Sequence, residues 1–400
     1  MDKKIYIFLV FGLLIMAVML YFIGIDQVIT ALKLSNLWFV LLAILLQVFT
    51  YYLYTLRWHI INKTADMSLG IKKLLPMVLV SLAVNNMTPS GRGGGEPVRA
   101  YILAKEGNYH FEDTLATVIA DRALDTFPFI ILAILTIIGI LLSFSLSIGW
   151  IVLLIVCVVT ITALVILLIY ICINEAFGVR LTRWIVRVVR RFYKKFDENT
   201  EQRIVEAVQS FQSTMNKLIR DKSIIYYALP LSFIIWIFEI LRVFIVFLAF
   251  GAQVSPIIIG EVFILASLVG MIPLLPGGLG AVDGIMILFY AQAGITASIS
   301  AAATVVERLI SFWMTTFLGF VCLPIYGASV LDKSMKLADK TEKNKQKSDG
   351  GSQEDESVDE IDSLNDDKEE DSNDGSLELV DLESDDDSSD KEVLLAEEKE

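Results

Sequence analysis

Histidine and cysteine are nearly missing from this 400-residue chain, which has two of the first and three of the second. His59 and His110 stand alone and no cysteines have metal-ligand spacing, so no metal site is predicted. Cys157, Cys172 and Cys322 all lie in apolar runs, which leaves no disulfide framework. No Ser/His/Asp arrangement is visible. The stretch Gly91-Arg-Gly-Gly-Gly-Glu-Pro-Val-Arg99 lacks the Gly-Lys-[Ser/Thr] ending of a nucleotide loop and follows no strand. Metal, nucleotide and triad chemistry therefore drop out. No cofactor, no catalytic residue and no nucleic-acid partner is expected.

Charge is missing too, from long stretches. Ile5–Ile23, Leu37–Leu56, Phe127–Ser143 and Trp150–Ile173 hold no ionisable acid or base, and Leu229–Phe250 holds only Glu239 and Arg242. Each run approaches or exceeds the ~20 residues that span a hydrocarbon core. With 55% hydrophobic residues overall, the chain reads as an all-α integral membrane protein. The N-terminus resembles a signal peptide, but Met16–Gly24 lacks a small-x-small cleavage site, so an uncleaved first span is predicted.

The net charge of −13 conceals two opposite parts. Residues 349–400 carry 24 acidic and 3 basic side chains, and the remainder holds 22 acidic and 30 basic ones. The acidic part has no aromatics and reads as a solvated, disordered tail over 332–400. Basic residues mark the cytoplasmic side. They cluster at Lys3-Lys4, Arg57–Lys73, Arg180–Lys222 and Lys333–Lys347. Both termini are thus predicted inside, in the cell membrane. Residues 173–228 read as a basic linker. Its first helix carries Arg180, Arg183, Arg187, Arg190, Arg191 and Lys194 among apolar residues and suits an anionic lipid surface. A second amphipathic helix is predicted at about 200–219. Around Gly24–Ser35 the chain reads as a loop.

Counting crossings exposes a parity conflict. Three full spans between the cytoplasmic loops at 57–73 and 173–228 would put the most basic loop outside. The segment Leu74–Met87 is short and ends in Asn85-Asn86-Met87-Thr88-Pro89-Ser90-Gly91-Arg92-Gly93-Gly94-Gly95. A re-entrant hairpin over 74–105 resolves the conflict. The second half repeats the pattern. Pro89-x-Gly91-x-Gly93-x-x-Glu96 matches Pro276-x-Gly278-x-Gly280-x-x-Asp283 at a constant offset of 187. Asp121-Arg122 answers Glu307-Arg308, and Leu56-Arg57 answers Leu241-Arg242. The prediction is an inverted-topology repeat: membrane repeats over 1–172 and 229–331, about six full spans, and re-entrant hairpins at 74–105 and 257–293. Eight plain spans are the alternative. Inverted repeats with broken helices at mid-membrane are a common build of secondary transporters.

Non-helical backbone at membrane depth needs a polar cavity, and glycine lets a ligand approach the backbone. The half-helix beginning near Glu96 points its positive end there, which favours an anion. Close helix packing is the plainer role for the same glycines. Ionisable residues inside a bilayer are functional candidates. Arg92, Gly93, Gly94, Glu96, Arg99, Asp121, Arg122, Gly278, Gly280, Asp283, Glu307 and Arg308 are therefore predicted to bind substrate. Arg57, Glu239 and Arg242 are predicted as structural charge pairs. Arginine matches a phosphate with its planar fork; the carboxylates would pair with it or relay protons.

Gly94-Gly-Glu-Pro-Val-Arg-Ala-Tyr-Ile-Leu103, with Asp121-Arg122 downstream and Pro276-Gly-Gly-Leu-Gly280 further on, resembles one known group. It is similar to the lysylphosphatidylglycerol synthase transmembrane-region, or flippase-like domain, family, over roughly residues 5–330. In bacterial multiple peptide resistance factors such a domain precedes a soluble aminoacyl-transferring domain and is held to move the modified lipid between leaflets. Similar domains occur in archaeal membrane proteins and beside glycosyltransferase domains acting on polyprenyl phosphates. After Leu331 this sequence shows only the acidic tail, so the resemblance implies lipid translocation rather than synthase activity. The expected partner is an anionic or polyprenyl-linked lipid in the membrane, and a homo-oligomer is compatible. A membrane-embedded lipid transferase and a small-solute transporter are the alternatives.

Overall fold

A computed structural model of the chain describes residues 25–88, 93–143, 148–192, 198–271, 278 and 280–326, and these are helical with short connections and no strand. The first apolar run, the turn residues Pro89–Arg92, Pro276, Gly277 and the acidic tail lie outside the described residues.

The helices are α1 (Ile25–Leu34), α2 (Leu37–Thr64), α3 (Ile71–Met87), α4 (Gly95–Gly107), α5 (Phe111–Ser143), α6 (Ile148–Ile173), α7 (Glu175–Phe192) and α8 (Glu198–Arg220). They continue as α9 (Ile224–Ala249), α10 (Pro256–Gly270), α11 (Ala281–Gln292) and α12 (Ala297–Tyr326). Five are long and apolar enough to cross a membrane: α2, α5, α6, α9 and α12. The short apolar pair α10 and α11 pack on each other, as α3 and α4 do, and each pair is followed by one of the longest helices.

The stretch read as a loop around 24–35 is instead helix α1. Asp26 in its first turn and Lys33 in its last complement the helix dipole, and Ala31 buries against the core while the helix lies on α12. Asn36 then starts α2 by accepting the Trp38 N–H at 3.0 Å, and its own N–H reaches the Ala249 carbonyl at 2.7 Å. The end of α9 is thereby tied to the start of α2.

These two helices run antiparallel. Phe49 meets Phe238, Arg57 meets Ser232 and Gln47 meets Arg242, so the numbers rise on one helix as they fall on the other. The outward faces are apolar: Leu41, Leu45 and Val48 on α2, and Ile134, Leu135 and Ile138 on α5, are exposed. A water-soluble monomer does not display apolar surface on that scale. The chain is a multi-pass membrane protein.

Inside, the core falls into two apolar clusters. One gathers Val40 and Ala43 of α2, Phe129 to Ile140 of α5 and Val243 to Ala249 of α9, with α10 and α11. The other gathers Trp58 and Ile61 of α2, Ala116 to Ala120 of α5 and Ile224 and Ala228 of α9, with α3 and α4. Between them, the same three helices bury Gln47, Thr50, Thr55 and Arg57, then Asp121, then Ser232 and Arg242. A polar belt therefore lies midway along the spans.

The basic linker is as amphipathic as its sequence. Arg180, Arg183 and Arg187 are exposed on α7 and Val186 is buried. Next to it, α8 docks on α5 through Ser210 and Thr214, whose hydroxyls both donate to Asp113 Oδ1 at 2.8 Å. Before α9, Asp221 accepts from the Ser223 hydroxyl at 2.5 Å and the Ser223 N–H at 2.7 Å. These bonds hold its carboxyl below the usual range.

Candidate functional site

The belt closes around a cavity of ≈ 170 Å³ whose wall comes from α2 to α5 and α9 to α12. That is smaller than the ~300–1,000 Å³ of typical ligand pockets. It suits a small polar group.

Arg57 on α2 anchors one side. Its Nε donates to Asp121 Oδ1 at 2.7 Å, and its Nη1 donates to Asp125 Oδ1 at 2.8 Å and to Ser232 Oγ at 3.0 Å. Arg99, on α4, takes the other Asp121 oxygen at 2.9 Å and stacks over Trp58 with 4.5 Å to the ring centroid. One carboxylate thus serves two arginines. Arg242 on α9 anchors the opposite side. Its Nη2 donates to Glu307 Oε1 at 2.9 Å, and its Nη1 donates to Glu239 Oε2 at 2.5 Å and to Gln47. Both anchors are 2% exposed, so both charges are neutralised inside the protein.

The two anchors are related. Each arginine bonds the acid of the Asp121-Arg122 or Glu307-Arg308 pair from its own half. Each also reaches across to the polar residue ten positions before the other arginine, Ser232 or Gln47.

The half-helices join the same way. Glu96 lies in the first turn of α4 and pairs with Arg122 of α5. Asp283 lies in the first turn of α11 and accepts from Arg308 Nε of α12 at 2.5 Å. Its second oxygen takes the Gly280 N–H at 2.9 Å, which caps the helix. Glu96 and Arg99 are three apart and do not pair with each other, because both side chains leave α4 towards α5. Arg308 is followed by a π-helical turn, Leu309–Met314, a backbone irregularity often found at functional sites.

Gly278 and Gly280 have φ of +67° and +79°, which only glycine adopts without strain. A Cβ added at Gly94 would collide with the Thr88 side chain, and Gly93 is exposed. Gly95 donates its N–H to Asn85 Oδ1 at 2.7 Å, so the start of α4 is partly satisfied by protein. Arg92 lies outside the described residues. The other eleven predicted substrate residues are described. Eight of these, all but Gly93, Gly94 and Gly280, line the cavity or bond directly to a side chain that does.

Sequence reasoning missed the uncharged part of the site. Gln47, Asn85 and Ser232 each bond a charged member, and Tyr51 pairs with Thr315 at 2.5 Å. Glutamine, asparagine and serine carry no charge to stand out in an apolar run. The equal spacing of Gln47 and Ser232 from their arginines was the available signal. Among the described residues no group of acids, histidines and cysteines is placed to hold a metal.

The lysylphosphatidylglycerol synthase TM region family matches residues 7–319. A UPF0104 membrane protein of Methanothermobacter thermautotrophicus is 50% identical over 335 residues, which cover 84% of this chain and 99% of that protein. Another, from Methanocaldococcus jannaschii, is 30% identical over 84% of this chain and 98% of its own length. A third, from Pyrococcus horikoshii, is 28% identical over 79% and 95%.

Proposed function

The chain belongs to the lysylphosphatidylglycerol synthase TM region family, and from that premise we propose that it moves an anionic lipid between leaflets, its headgroup passing through the arginine–carboxylate cavity. The observation that carries this reading is an arginine-rich cavity placed midway along helices whose outer faces are apolar. A headgroup can cross there while acyl chains stay in the bilayer. Phosphate is the best match for the planar forks of several arginines, so an anionic phospholipid or a polyprenyl phosphate is the substrate class. With no nucleotide loop in the sequence, movement runs downhill or couples to an ion.

In this reading the two halves are inverted copies, which the antiparallel course of α2 and α9 and their reciprocal bonds support. α3–α4 and α10–α11 are the re-entrant hairpins, and six full spans include the first apolar run. Both termini face the cytoplasm across the cell membrane, and the protein is a carrier rather than an enzyme.

Arg122, whose side chain is 38% exposed, is the guanidinium best placed to meet a headgroup. Hydrogen bonds to charged groups contribute about 1.5–3 kcal/mol, so Arg122→Gln is expected to slow transport roughly ten- to hundredfold. Arg122→Lys should restore part of the loss. The assay is flipping of a fluorescent phosphatidylglycerol in liposomes with purified protein, with thermal unfolding measured in parallel. No acceleration for any of several anionic headgroups would overturn the reading. The small cavity volume favours one second reading, a small-solute secondary transporter. Uptake of an anionic solute into the same liposomes, without lipid flipping, would select it.

A further inference from the structure

The cavity wall has a charge problem with any anion. Among the described residues it carries Arg57, Arg99, Arg122, Arg242 and Arg308 against Glu96, Asp121, Asp125, Glu239 and Glu307. Asp283, bonded to Arg308, adds a sixth carboxylate. Each of these arginines is within ion-pair distance of a carboxylate. An anion entering such a wall gains no uncommitted positive charge. Either a cation enters with it, or a carboxylate loses its charge and releases an arginine.

Glu96 is built for the second course. It is 6% exposed. Its Oε1 accepts from Asn85 Nδ2 at 3.2 Å and from Arg122, while its Oε2 is buried with no hydrogen-bond partner. Among the described carboxylates of the wall, no other has a buried oxygen in that state. Asp121 has an arginine on each oxygen, and Asp283 has Arg308 on one and the Gly280 N–H on the other.

The groups facing Glu96 agree with this. From α3 comes Asn85, which is neutral. From α5 come Arg122, which holds Glu96, and Asp121 and Asp125, which add negative charge. On α4 itself, Arg99 is taken by Asp121. Across the cavity, Arg242 is held by Glu239 and Glu307, and Arg308 by Asp283. Of these cations, Arg122 is the one that protonating Glu96 would loosen: its Nη2 loses Glu96, while its Nη1 keeps Asp125 Oδ2 at 3.7 Å, a carboxylate that it shares with Arg57.

We propose that the site binds its phosphodiester headgroup together with one proton, which is taken up from water on Glu96 Oε2. An O–H bond forms there, the Glu96–Arg122 ion pair opens, and the Arg122 guanidinium turns to the phosphodiester oxygens. The ligand's negative charge replaces the one that Glu96 has lost, so the net charge of the wall with its ligand equals that of the empty wall. Headgroup and proton then cross as a neutral pair, and a proton gradient can drive the lipid. This rests on the anionic-lipid reading above and names its coupling ion.

The test is titration calorimetry of the full chain in nonionic detergent, in two buffers of different ionisation enthalpy. The probes are dihexanoyl phosphatidylglycerol and glycerophosphoglycerol, the same phosphodiester with and without acyl chains; neither probe titrates near neutrality. About one proton should be taken up per ligand, with affinity falling about tenfold per pH unit on the alkaline limb. Glu96→Gln should bind with no proton uptake and with affinity independent of pH. Wild-type binding without proton uptake, or uptake that persists in Glu96→Gln, overturns the inference and leaves the lipid reading standing. Failure of the wild type to bind either probe overturns both. Equal affinity for the two probes, with proton uptake, keeps the proton and assigns the site to the phosphodiester alone. Should Glu96→Gln fail to fold, Glu96→Asp takes its place: it keeps a carboxylate but moves it, so the pH at which affinity falls should shift, and a pH dependence identical to wild type overturns the assignment to Glu96.

Discussion

Asp121→Ala is expected to destabilise the protein by about 3–5 kcal/mol, the usual cost of leaving a buried charge without its partner. Asp121 Oδ1 holds Arg57 and Oδ2 holds Arg99, and all three are nearly inaccessible. Arg57 would keep Asp125, but Arg99 would be left over the Trp58 ring with no carboxylate. A cation–π contact contributes about 2 kcal/mol when desolvated, too little to replace the pair. The corresponding change on the other side, Glu307→Ala, should cost less, because Arg242 retains Glu239 and Gln47. The order of apparent melting temperatures in detergent checks this: wild type highest, then Glu307→Ala, then Asp121→Ala. Equal losses at the two positions would show that the network does not divide as its bonds suggest.

The same asymmetry bears on mechanism. One half of the belt concentrates charge on Asp121, with Asp125 four residues further along α5. In the other half Ser311 follows Glu307 at that spacing, and the additional acid is Glu239, on α9. If Glu96–Arg122 opens on proton uptake as proposed, doubly held pairs such as Arg57–Asp121 keep the surrounding helices in place.

How much of this could be read in advance depended on charge. Spans such as α2 and α5 were legible because charge-free runs of that length have one physical use. The belt's ionisable members stood out for the converse reason, as charges where charge is expensive. Their partners were not legible. The spacing of Glu96 and Arg99 suggests a mutual pair, yet each bonds to α5, because a neighbouring helix decides what one helix face meets. Helix α1 escaped notice because it is short and carries charge at both ends, which resembles a loop until the dipole is considered. The glycine-rich turn pointed to ligand approach as one use of its residues. At Gly95, the geometry shows the plainer use.

Gly95→Ala tests that use. An ideal Cβ at Gly95 would lie 2.0 Å from the Ser81 carbonyl oxygen, with Ser81 C at 2.7 Å and Cα at 2.9 Å. All three atoms are backbone of α3, so no side-chain rotation relieves the clash. Helix α4 must back away by roughly 1.5 Å to restore ordinary contact at about 3.5 Å. Alanine gains about 0.5–1 kcal/mol over glycine within a helix, and less at a first turn, while overpacking costs about 1–3 kcal/mol. The clash wins. The larger effect is on the site, because α4 carries Glu96 and Arg99, and Gly95 itself bonds Asn85. A displacement of that size can cost about a hundredfold in function, so lipid flipping should fall by that order while the protein still folds. Gly284→Ala is the matched control. Gly284 lies on α11 of the other hairpin, is exposed, and has nothing within 4 Å of an added Cβ. There only the helix preference remains, so stability should hold or rise slightly and flipping should stay near wild type. Equal losses at both positions would mean that glycine flexibility, rather than the contact between α3 and α4, is what the site requires.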